Sequence, residues 1–175
     1  MSGPIRFDDA MMRFQTLAAG ALLAVAAHAL ADDPISATKE PALTAHSATG
    51  PFEVKLAPQA LSAVAEPSGL GRMSIDKQFH GALEATSTGE MMSWMDAARS
   101  SGGYVAMETV RGTLDGHAGS FVLMHGSTMN RGEPSQSISV MPGSGTGALA
   151  GLTGRMVVDI APGGAHSYRF DYTLP

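Results

Sequence analysis

Between Gly71 and Thr88 the chain keeps a two-residue period. Met73, Ile75 and Phe79 share one phase, while Ser74, Asp76, Gln78 and His80 share the other. Successive side chains of an extended strand point to opposite faces, so this pattern describes a half-buried β-strand and leaves no apolar stripe for a helix. Gly81 interrupts the run, and a second strand-like stretch follows from Leu83 to Thr88. Met91, Met92, Trp94 and Met95 have spacing that also suits a helical turn. The glycines after Ser100 favour instead a strand that continues into a loop.

The same period recurs along the chain. Phe52, Val54 and Leu56 alternate with Glu53 and Lys55 and stop at Pro58. Tyr104 to Leu114 and Ser120 to Met129 read as strands joined by Asp115 and Gly116, a dipeptide suited to a tight hairpin turn. Gln136 to Met141 is a further strand, and Gly143 to Gly154 is a glycine-rich connection. Arg155 to Ile160 and His166 to Leu174 form a closing hairpin around Pro162, Gly163 and Gly164. About eight short antiparallel strands predict an all-β fold, and closing into a barrel is the simplest way to remove the sheet edges. A two-sheet sandwich is the competing arrangement.

The predicted layout is a signal peptide over 1–31, a flexible N-terminal tail over 32–49 and a single β-barrel domain over 50–175. Leu17 to Ala27 is apolar but too short to span a bilayer. Arg13 precedes it and the small residues Ala29 and Ala31 follow, the layout of a leader cut before Asp32. A start at Met11 or Met12 fits that leader better than Met1, because Asp8 and Asp9 are foreign to a positive n-region. Asp32 to Thr49 shows neither period and contains Pro34 and Pro41. The chain is therefore expected to be exported, periplasmic or extracellular, with no integral membrane association once the leader is removed.

With 11 Lys and Arg against 16 Asp and Glu the net charge is -5, which supplies no basic footprint for nucleic acid. There is no Cys, so neither disulfides nor thiolate chemistry can contribute.

The runs RMSIDKQFHGALEATSTGEM, GYVAMETVRGTLDGHAGSFVLMHGSTMNRG and SGTGALAGLTGRMVVDI together resemble domain-of-unknown-function family 3224, a bacterial family. Its fold is similar to the eight-stranded allene oxide cyclase barrel. The resemblance spans Thr49 to Leu174 and implies the barrel. It brings no established activity and no catalytic residue that matches a position here.

Two motifs are better explained as framework. Ser74 and Lys77 spell S-x-x-K, but in a strand positions three apart face opposite sides. Gly145 to Ala150 spells G-x-G-x-x-A, yet Gly151 and Gly154 follow where a phosphate-binding helix would have to run. His80, His117, His125 and His166 lie on four separate segments with no metal-ligand spacing, so no metal or cofactor is predicted. Met91, Met92, Met107, Met124 and Met156 suit either an adaptable pocket or plain core.

The candidate ligand-binding pair is Glu108 and His125. If Leu114 faces Gly119, the two lie directly opposite, with Cβ atoms about 5 Å apart. Val110, Phe121 and Leu123 share their phase, which points the pair inward. Two functions fit this reading. One is a barrel that binds a small apolar or amphipathic molecule, extended by the fold relation to isomerase or cyclase chemistry through positioning alone. The other is a non-catalytic structural protein with a filled interior, forming a homo-oligomer through its outer face. That second reading draws on β-strand phases that are both apolar, as in Val105 and Met107 against Ala106 and Val110.

Overall fold

The architecture comes from a computed structural model that describes residues 44–175. Eight strands follow one another in chain order: β1 (Ala45–Pro58), β2 (Gly71–Phe79), β3 (Leu83–Met95), β4 (Gly102–Leu114), β5 (His117–Asn130), β6 (Glu133–Val140), β7 (Thr153–Ile160) and β8 (His166–Thr173). Each pairs antiparallel with the next, and β8 pairs with β1 to close a barrel. The fold is the predicted all-β barrel. The Met91–Met95 segment belongs to β3 as strand, so the period of two outlasts the apparent helical spacing.

The stagger of the barrel follows from its register. The line of Cα partners from Pro58 runs through Met73, Met91, Ala106, His125, Ile138, Met156 and Phe170 to Ala48, ten residues from its start on β1. A stagger of ten exceeds the eight of a (β/α)8 barrel. It tilts the strands by roughly 40° and widens the interior. Every residue on this line after Pro58 is buried.

The two ends of the barrel differ. Phe79, Leu83, Leu114, Phe121, Leu123, Phe170 and Tyr172 pack the end that carries the β2–β3 and β4–β5 turns. Leu149 and Leu152, from the glycine-rich connection, plug it. The G-x-G-x-x-A motif forms only a short 3-10 turn, Gly147–Leu149. The Tyr168 hydroxyl accepts from Leu83 N at 2.8 Å and donates to His80 O at 3.0 Å. The Tyr172 hydroxyl donates to Asp115 Oδ2 at 2.6 Å. Burial, and then the Asp115 carboxylate, push the Tyr172 hydroxyl up to about 12. At the opposite end the inward residues Leu56, Tyr104, Gln136, Val158 and His166 are only half-buried, so solvent enters there. The β6–β7 seam is also loose at this end. Its ladder spans Ile138↔Met156 and Ser139↔Arg155. Beyond that, the Gln136 side chain bonds both Val158 N and Val158 O in place of backbone.

Two expectations need correction. The leader over 1–31, and 32–43 of the tail, lie outside the described residues, but β1 starts at Ala45, inside the segment assigned to the tail. Small residues gave that stretch no readable period; it is strand because β8 pairs with it, and Ala48 is buried. The β4–β5 register is the other correction. Asp115 and Gly116 both take positive φ (47° and 82°) in a two-residue turn, so Leu114 faces His117, and Glu108 faces Leu123 rather than His125.

Because Ala45–Thr49 carries five of the eight pairs of the closing ladder, a chain beginning at Gly50 should lose at least about 2 kcal/mol against one beginning at Thr44, a drop of roughly 5–10 °C in Tm. Thermal melts of the two chains by circular dichroism check this, and equal melting temperatures would return Ala45–Thr49 to the tail.

Candidate functional site

Glu108 sits on the inward phase of β4, at the middle of the barrel, and is 1% exposed. The two-residue displacement of register preserves phase, so Glu108 and His125 still share the inner face as diagonal neighbours. His125 Nε2 lies 2.9 Å from Glu108 Oε1. An ionised carboxylate only accepts, so Nε2 carries the proton of this bond. Lys77 Nζ donates to the same oxygen at 2.8 Å, and Ser87 Oγ donates to Oε2 at 2.7 Å. Four strands, β2 to β5, thus contribute one side chain each to a buried ionic cluster.

The local sequence explains this placement. Lys77 lies on the phase of Met73, Ile75 and Phe79 and is therefore carried inward, while Ser74 faces out and bonds Ala57 O and the Gln59 amide. Ser87 is placed the same way, on the phase of Leu83 and Ala85. Gly89 is the β3 residue opposite Glu108. A Cβ there would lie 2.6 Å from Glu108 Cα, so glycine is needed for β3 to fold closely over the Glu108 backbone.

Burial raises the cost of ionising Glu108, but His125 and Lys77 together outweigh it and hold its carboxyl down at about 2. With three donors on two oxygens, Glu108 is a satisfied anion and a poor proton acceptor. The Lys77 ammonium has one carboxylate partner. Its remaining surroundings are the rings of Phe52 and Phe79, 5.4 and 5.7 Å from their centroids. Among the described residues nothing hydrogen-bonds His125 Nδ1. Above the cluster, towards the open end, stand Tyr104 and Ser127, which are paired across β4 and β5. Burial raises the Tyr104 hydroxyl and the Glu108 charge adds to this, against a smaller opposing effect of the neighbouring Ser127, whose hydroxyl donates to Ser135 O at 3.0 Å. His166 packs against Phe52 with ring centroids 5.1 Å apart and the rings tilted by 48°. Its imidazole is lowered by burial and then by the Lys77 charge.

The structure brings together both predicted site residues and adds Lys77, Ser87, Tyr104 and Ser127. Phase alone could have found Lys77, because its neighbours two residues away on either side, Ile75 and Phe79, are apolar. His80 and His117 lie apart from the cluster. Met91 and Met156 are core, whereas Met107 and Met124 are on the outer face. Among the described residues, no group of three His, Asp or Glu could hold a metal, and no helix is long and apolar enough to cross a membrane.

Residues 48–172 match the family described as Protein of unknown function (DUF3224). The chain belongs to that family. A solved structure, titled as a protein with unknown function from the DUF3224 family from Shewanella oneidensis MR-1, is 44% identical, with a TM-score of 0.69. The alignment covers 75% of this chain and 99% of that one. No curated protein matches the chain. The DUF3224 fold is thus present as a closed barrel with an ionic cluster inside it.

The Glu108 carboxyl is lower when folded than its ordinary 4.5, so its ionised form stabilises the fold. That contribution is complete above about pH 4.5 and is lost as pH falls through about 2; it is on the order of 3 kcal/mol. Glu108→Gln should lower stability near neutral pH by about 3 kcal/mol and flatten the acid limb. Denaturant melts of both proteins between pH 7 and pH 2.5 measure it, and parallel acid limbs would count against an ionised Glu108.

Proposed function

We propose that this protein is an exported β-barrel that binds one small amphipathic molecule end-on in the open half of its interior. The oxygen-bearing head points to Lys77, His125 and Tyr104, and the apolar body lies along Leu56, Met73, Met91 and Val158. Support for export comes from the apolar run Leu17–Ala27 with Ala29 and Ala31 behind it.

The observation that carries the binding reading is a buried ammonium and a buried imidazole nitrogen with unused hydrogen-bonding capacity, set beneath inward side chains that solvent reaches. Buried ion pairs contribute little to stability compared with apolar residues of the same volume. Polar groups of this kind beneath apolar and half-buried inward side chains match the usual make-up of a ligand site. Isomerisation or cyclisation at this site would rest on positioning and exclusion of water, because Glu108 is saturated by its three donors. The packed end of the barrel supports the rival reading, a non-catalytic structural protein in which Lys77 and His125 serve only to neutralise Glu108, but that reading leaves their unused hydrogen-bonding capacity without a task.

The triple substitution Lys77→Met, Glu108→Leu and His125→Leu separates the two. On the binding reading it melts within a few degrees of wild type yet loses the small molecule that native mass spectrometry finds on protein purified from its own source. If the wild type carries no such molecule, and the triple variant unfolds, the cluster is structural.

A further inference from the structure

We propose that the outer face of β3, β4 and β5 is the contact surface for a second copy of this chain, packed about a two-fold axis near Val105. The register lays this face out in rows. Trp94 lies beside Gly103, Met92 beside Val105 and then Gly126, and Met107 beside Met124. Val105 is 63% exposed, and Trp94, Met107 and Met124 are each about half exposed. Elsewhere the outer strand surface is mostly polar, although Val157 on β7 is 40% exposed. Glu53 and Lys55 on β1, Arg155 and Asp159 on β7, and Arg169 and Asp171 on β8 all point out. A strand such as β4, apolar on both phases, is expected where both faces are covered.

Size, charge and shape favour a second copy as the occupant. The ladders β3–β4 and β4–β5 each run over thirteen pairs, from Leu83↔Leu114 to Met95↔Gly102 and from Gly102↔Met129 to Leu114↔His117. At ~3.4 Å per residue and ~4.8 Å per strand, three strands present a face of roughly 600 Å² in projection. That is close to the ~800 Å² of accessible surface each partner buries in a stable interface. Within the rows from Trp94 to Thr109 the one charged side chain is Glu90, and Arg72 already holds it through Nε at 2.7 Å and Nη2 at 2.6 Å. Beyond Thr109 the same ladders carry Arg111 and Glu84 outward, which places further charge at the rim of the face rather than over its centre.

The face also offers both bulky and bare positions. Trp94 stands on β3, one row from Val105, and Gly126 on β5 has open space where its Cβ would be. Two copies packed face to face can set large side chains over bare backbone, as an isologous contact allows.

Trp94 is the only Trp in the chain, so its fluorescence reports on this face alone. Sedimentation velocity and tryptophan emission, followed together over a concentration series from nanomolar to high micromolar, test the proposal. Two chains per particle are expected at the upper end, with a blue shift and loss of iodide quenching that track the mass. Val105→Lys, an exposed substitution, should give single chains with red-shifted emission and an unchanged far-UV spectrum. A wild type that sediments as one chain at every concentration overturns the proposal. So does a dimer whose Trp94 stays open to iodide, a readout that needs no variant. Neither measurement touches the interior, so the result is independent of the ligand reading.

Discussion

Closure of β1 onto β8 is the constraint on which the rest of this protein depends. Thr49 and Arg169, partners in that ladder, are separated by most of the folded chain, so the pairing forms late in sequence distance and costs loop-closure entropy. What it returns is an interior. Without it Ala48, Phe170 and Tyr168 would lie on two open edges, and the inward phase of every strand would face water. The stagger of ten residues then sets how wide that interior is, and two apolar clusters occupy it, the larger at the end that Leu149 and Leu152 plug and the smaller around Met73, Ile75, Met91 and Ala106.

Inside the barrel, Glu108 is the point where four strands meet in one electrostatic contact. A carboxylate withdrawn from water is tolerated because Lys77, His125 and Ser87 replace its hydration with three donors at 2.7 to 2.9 Å. The contact is also directional, since each donor comes from a different strand. A slip of one residue in any of the pairings would turn a member of the cluster out of the barrel. The cluster therefore couples register to the chemistry of the interior, and the glycine opposite Glu108 lets β3 approach closely enough for Ser87 to reach.

Much of the fold was legible because it is written in a local signal. Alternation in Met73–Phe79, Leu83–Thr88 and Tyr104–Leu114 reports burial two residues at a time, and Asp115–Gly116 reports a turn through backbone stereochemistry. Ala45–Thr49 was not legible, because small residues show little contrast between faces and the stretch is strand only by virtue of its partner. The site was half legible. Glu108 and His125 were readable as an inward pair since a two-residue error in register leaves phase unchanged. Lys77 was passed over because a charged residue interrupts the apolar phase that it belongs to.

The sequence by itself determined most of the strands, Ala45–Thr49 excepted, which phase of each turns inward, and that no Cys could staple the result. Those properties are local: they depend on side chains two positions apart and on the torsions open to Asp and Gly. Only the tertiary structure decided the register, the stagger, the packed and open ends, and the meeting of Lys77, Ser87, Glu108 and His125. These depend on pairings between segments far apart in the chain, where the turn geometry and the closing ladder select one register among several with the same alternation.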